Sequence, residues 1–123
     1  MYHLTIYSHF AAAHNLLHYQ GDCENLHGHN WKVEVTVKTP VLDEAGLGMD
    51  FKILKAKVKQ ILGELDHVYL NQLEHFKNRS PSSENLARYI FEKVEAELKG
   101  GDVQVERVNV WESENACAAF TRD

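Results

Sequence analysis

The sequence predicts an α+β domain, a four-stranded antiparallel sheet with two helices packed on one of its faces in the order ββααββ. Three observations carry that reading. Period-two hydrophobic alternation lies near both ends of the chain, two stretches of helical periodicity lie between them, and strands that follow one another without an intervening helix pair antiparallel. A length of 123 residues, 44% hydrophobic and 25% charged, suits one domain spanning residues 1–123 around a single core.

Tyr2 to about Ala12 sets Leu4, Ile6, Ser8 and Phe10 at period two and reads as a first strand. From Asn30 to Thr39 the alternation is clean, with Trp31, Val33, Val35 and Val37 on one face and Lys32, Glu34, Thr36 and Lys38 on the other. Pro40 ends that strand, and Asp43 to Gly48 clusters acidic residues with glycines as loops do. A helix follows Asp50, its expected cap, with Phe51, Leu54, Val58, Ile61, Leu62 and Leu65 as the buried stripe. The second helix begins at the cap Ser82 with Glu84 in its first turn, buries Leu86, Ala87, Ile90, Val94 and Leu98, and stops at Gly100-Gly101. Two closing strands, about Val103 to Glu112 and Ala116 to Thr121, flank a turn at Ser113-Glu114-Asn115.

Thirteen Lys plus Arg against 18 Asp plus Glu give a net charge of −5, which offers no basic field for a nucleic-acid backbone. No apolar run approaches the roughly 18 residues that span a bilayer, so the expectation is a soluble cytoplasmic protein with neither nucleic acid nor membrane as partner. Two cysteines are too few for a stapled secreted scaffold. Cys117, flanked by alanines, is expected in the core.

Eight histidines are the oddity of the composition, and their placement is informative. His27 and His29 are two apart and share register with Trp31 and Val33, so a strand that begins at His27 aims both imidazoles at the apolar side. Burying two unpaired imidazoles is costly, and a shared cation satisfies both. His14, at the end of the first strand, supplies a third ligand. Three histidines with an open fourth position is the pattern of a catalytic zinc site. Cys23 leaves a second arrangement open, because Cys23 with the three histidines closes a structural site without chemistry. As a free thiol near a cation or a protonated histidine it becomes instead a base or nucleophile. Asp66-His67 is a candidate proton-transfer pair, and the bland alternative is a histidine settled at a helix C-terminus. Glu112 shares a strand face with Val108 and Val110, and a carboxylate turned that way needs donors, which a ligand edge with two parallel N–H groups supplies. The alternative is a strand-end glutamate that reaches solvent.

Several segments together resemble the 6-pyruvoyl-tetrahydropterin synthase and 6-carboxytetrahydropterin synthase family. Phe10-Ala-Ala-Ala-His14 resembles its first zinc motif, Cys23-x-x-x-His27-Gly-His29-Asn-Trp31 its nucleophile and zinc segment, and Asp50-Phe51-x-x-Leu54-Lys55 the opening of its first helix. Leu65-Asp66-His67 with Leu70-Asn71, Pro81-Ser82-Ser83-Glu84-Asn85 and Glu112 resemble its remaining motifs, although Ser82 and Ser113 stand where threonine is usual. The three residues between Cys23 and His27 resemble the bacterial 6-carboxytetrahydropterin synthases of the queuosine pathway.

The resemblance implies a tunnelling (T-fold) subunit that assembles as two stacked trimers, a homohexamer with active sites between subunits. It implies a zinc-dependent lyase that converts 7,8-dihydroneopterin triphosphate to 6-carboxy-5,6,7,8-tetrahydropterin, acetaldehyde and triphosphate. The close alternative stops after triphosphate elimination at 6-pyruvoyl-tetrahydropterin, and a noncatalytic zinc-stabilised binding module is the reading from another class. Zn2+ would sit on His14, His27 and His29, Cys23 would remove a proton, Asp66 and His67 would relay protons, and Glu112 would anchor the pterin.

Overall fold

A computed structural model describes residues 1–18 and 25–123. Strand β1 (Tyr2–His14) and strand β2 (His27–Thr39) run antiparallel in unbroken register from Tyr2↔Thr39 to His14↔His27. Helix α1 (Phe51–Gly63) follows, then the short strand β3 (Val68–Tyr69) and two single 3-10 turns, Leu70–Gln72 and Glu74–Phe76. Helix α2 (Ser83–Glu97) leads into strands β4 (Gln104–Ser113) and β5 (Ala116–Phe120).

The sheet has five strands in the order β3-β1-β2-β4-β5, which corrects the expected four. The added strand, β3, pairs parallel with β1 through Ala12↔Val68 and Ala13↔Tyr69. Two residues are too few to show a period, so nothing in the hydrophobic pattern marks it. The other pairings are antiparallel, as expected.

Both caps act as the sequence predicts. The Asp50 side chain accepts from Lys52 N, and the Ser82 hydroxyl accepts from Asn85 N. Past the end of α2, Gly100 takes φ +91°, which a side chain would resist. The helices bury Leu54, Val58, Leu62, Leu86, Ala87, Ile90 and Phe91 against the sheet face formed by Phe10, Trp31, Val33, Val35, Val108 and Val110. Phe91, absent from the predicted stripe, is in the core, where its ring meets Phe120 at 5.0 Å.

Two expectations fail. Phe51 is 49% exposed, because it is the first residue of α1 and lies beyond the sheet's cover; Ile53, Val41, Leu42 and Leu47 are exposed as well. Cys117 is exposed, since it lies on the edge strand β5 opposite Trp111, on the face away from the helices. No helix among the described residues is long and apolar enough to cross a membrane.

Candidate metal centre

The β1–β2 register ends on a pair of histidines, His14↔His27, and Ala12↔His29 lies two steps inward. The early start of β2 at His27, three residues before Asn30, sets His27, His29 and Trp31 on one face, as a strand beginning there requires. Trp31 is fully buried, stacks on Phe10 at 5.9 Å and donates from its indole to Ala12 O at 3.2 Å. It forms the floor of the site, with the His14 and His29 rings edge-on to it at 4.8 and 5.2 Å.

Hydrogen bonds fix the tautomers of two rings. A carbonyl only accepts, so His14 Nδ1–H donates to Pro81 O at 2.8 Å and His27 Nδ1–H to Asn25 O at 2.7 Å. In neutral imidazoles each Nε2 is then a bare lone pair, yet these two atoms face each other at 3.0 Å. Only a proton or a cation between them makes that approach favourable. His29 Nε2 faces the same space. It is buried and has no hydrogen-bond partner, and although Glu112 Oε1 is 3.0 Å away, the alignment is not that of a hydrogen bond.

The ligand atoms of His14, His27, His29 and Glu112 all lie within 4.8 Å of one another. A tetrahedral cation with bonds of about 2.0 Å holds its ligands roughly 3.3 Å apart, so the residues present fit a metal ion. Burial pushes the His14 imidazole below the usual histidine pKa against the pull of Pro81 O, and the neighbouring His27 adds to the lowering. His29 is lowered by burial as well, against the attraction of Glu112. Both effects favour the neutral, ligating form.

Glu112 points the way Val108 and Val110 do, but to the rim, where it is 38% exposed. Its Oε2 is 3.5 Å from the Ser83 hydroxyl, and its Oε1 lies 3.9 to 4.0 Å from His27 and His14 Nε2. The sequence pattern gave no sign that this carboxylate stands within the histidine cluster, because its approach depends on the pairing of β4 with β2.

Asp66 and His67 do form a pair, Oδ2 to Nδ1 at 2.9 Å, and Asp66 Oδ1 accepts from Ala11 N at 2.9 Å. That backbone bond is the main cause holding the Asp66 carboxyl below its usual range, with His67 adding to it. His67 takes φ 57°, a left-handed conformation that costs a non-glycine residue energy, and its ring is 81% exposed. The pair hangs on β1 three residues before His14 and makes no contact with the cluster among the described residues. Cys23 lies outside the described residues.

The sequence profile described as 6-pyruvoyl tetrahydropterin synthase matches residues 3–123. A Synechocystis protein named 6-carboxy-5,6,7,8-tetrahydropterin synthase is 42% identical over 91 residues, 70% of this chain and 69% of its own. A Pyrococcus furiosus protein named dihydroneopterin monophosphate aldolase is 38% identical over 89 residues, 72% of each chain. The structure of Caenorhabditis elegans 6-pyruvoyl tetrahydropterin synthase superposes with a TM-score of 0.87 at 26% identity, covering 99% of this chain and 96% of that one. The three relatives have three named activities, and a match that runs over residues 3–123 decides the common ground: the chain belongs to the 6-pyruvoyl tetrahydropterin synthase family of enzymes.

Proposed function

We propose that this chain is a zinc-dependent lyase that converts 7,8-dihydroneopterin triphosphate and one water to 6-carboxy-5,6,7,8-tetrahydropterin with release of acetaldehyde and triphosphate. The single observation that supports it most is the convergence of three Nε2 atoms, two of them left as lone pairs because the carbonyls of Pro81 and Asn25 hold the ring proton on Nδ1. The Synechocystis relative supplies the preference for this product. Zn2+ bound on His14, His27 and His29 would supply Lewis acidity towards the hydroxyls of the substrate side chain.

The chain's own residues would do the rest. Cys23, as thiolate, would take a side-chain proton, and the Asp66–His67 pair would carry protons during elimination and tautomerisation. The exposure of His67 suits a role at a subunit boundary, where a neighbouring copy completes the site. Glu112 would hold the amino and ring N–H edge of the pterin, and because its Oε1 already faces the cluster, a pterin gripped there lies beside the metal. Assembly as two stacked trimers accords with the unpaired sheet edges and with the exposure of the apolar residues Val41, Leu42, Leu47, Phe51 and Ile53. The same reading makes residues 1–123 one catalytic domain, cytoplasmic, acting in queuosine biosynthesis.

Two other outcomes have named relatives behind them, triphosphate elimination alone and aldol cleavage of a dihydroneopterin monophosphate. Incubation of the zinc-loaded protein with dihydroneopterin triphosphate and, separately, its monophosphate, followed by mass analysis, tests all three. Acetaldehyde with the 6-carboxy product is expected. A pyruvoyl product, or turnover of the monophosphate only, overturns the proposal.

A further inference from the structure

We propose that Asn71 is a positioning residue of the metal centre, one that stands in for a missing strand partner at the end of β1; the inference rests on the metal reading above. His14 is the last residue of β1, and support fails there on both sides at once. Towards β2 the register ends at His14↔His27. Towards β3 it ends one residue earlier, at Ala13↔Tyr69, because the chain turns away into the 3-10 turn Leu70–Gln72. A strand end in that position frays, since its next peptide groups have no ladder to join.

The Asn71 carboxamide takes the place of the ladder. Its Oδ1 accepts from Asn15 N at 3.0 Å and its Nδ2 donates to Asn15 O at 2.8 Å, the two bonds a paired strand residue would make. Tyr69 Oη donates to the Asn15 side chain at 2.5 Å, and Ser80 Oγ accepts from Leu17 N at 2.6 Å. Upstream, Asp66 Oδ1 and His67 N bond the two backbone groups of Ala11. The outer edge of the chain from Ala11 in β1 to Leu17 beyond its end is therefore closed by one segment that uses side chains where its backbone cannot reach. His14 lies inside that closure, and its backbone direction determines whether Nε2 meets the other two imidazoles while Nδ1 keeps Pro81 O.

The test is cobalt(II) binding, read by the visible absorption of the bound ion and by competition with a chromophoric chelator, on Asn71→Ala, Asn71→Gln and a control, Val94→Ala. Val94 is buried on α2 and has no part in the site, so its truncation lowers stability without touching the strand end. The expected result is parent-like spectra and affinity for Val94→Ala, but binding weaker by about tenfold or more, with shifted bands, for both Asn71 variants. Asn71→Gln keeps an amide displaced by one methylene and decides alone if Asn71→Ala does not fold. Spectra and affinity in the Asn71 variants equal to those of the control overturn the proposal, as does failure of both to fold, which makes Asn71 a stability residue. A parent that binds no cobalt sinks the metal reading itself, an outcome visible before any variant is compared.

Discussion

His14 and His27 bring their Nε2 atoms to 3.0 Å although each neutral ring keeps its only N–H on Nδ1, where it donates to the carbonyl of Pro81 or of Asn25. Two lone pairs held at that distance by backbone acceptors are a cation site defined from behind. The carbonyls fix which nitrogen faces inward, and the inward nitrogens have nothing else to bind.

Replacing either ring nearest the rim tests this directly. His27→Ala and His29→Ala should each lose most bound zinc and nearly all turnover, because two imidazoles hold a zinc ion poorly. Metal analysis after dialysis checks it, and full occupancy in both variants would refute the ligand set.

Cys23→Ala separates a base from a ligand. About one zinc per chain should remain, because the three histidines and not the thiol hold it, while product formation is lost. Loss of the metal with the thiol would favour the closed Cys-His site.

Glu112→Gln keeps the shape of the side chain and exchanges one acceptor oxygen for a donor. Neopterin affinity, measured by fluorescence, should fall by about 2 to 4 kcal/mol with zinc content unchanged. Unaltered pterin binding rules out the anchoring role, and zinc loss would make Glu112 a ligand.

Asp66 carries a pH signature. Its carboxyl is held low in the folded chain, chiefly by Ala11 N–H and also by His67, so its charged form stabilises the fold above the unfolded value of about 3.9 and ceases to do so as pH falls through the folded value. Asp66→Asn retains an acceptor for Ala11 N–H but not the charge. The parent should melt higher than the variant at neutral pH, and the gap should close on acidification. A gap independent of pH would show that the charge contributes nothing.

Trp31→Phe should cost about 1–3 kcal/mol in urea unfolding, since it removes the indole's bond to Ala12 O beneath the three histidines and shrinks a fully buried ring. An unchanged midpoint would show that the indole bond is dispensable.

What the sequence made legible was whatever repeats along the chain. The valines of β2, the caps Asp50 and Ser82, and the spacing of His27 and His29 each express a local period or a local hydrogen bond. Features set by tertiary neighbours were illegible. Strand β3 is too short to have a period, Phe51 lies beyond the sheet's cover, Cys117 lies on the sheet face that the helices leave open, and the approach of Glu112 to His29 depends on strand pairing across the chain. The carbonyl of Pro81 leaves no mark at all, because every residue has one.

That carbonyl has one more effect. Pro81 belongs to the turn that opens α2, next to the Ser82 hydroxyl that receives Asn85 N–H and the Ser82 carbonyl that receives Leu86 N–H. A cation bound at His14 would share that short tether with the helix, and thermodynamic linkage makes the coupling reciprocal: to the extent that an ordered first turn of α2 favours the ion, the ion would stabilise that turn. The amides of Asn85 and Leu86 should therefore exchange with solvent deuterium more slowly when the ion is bound, while the far end of the same helix stays indifferent to it.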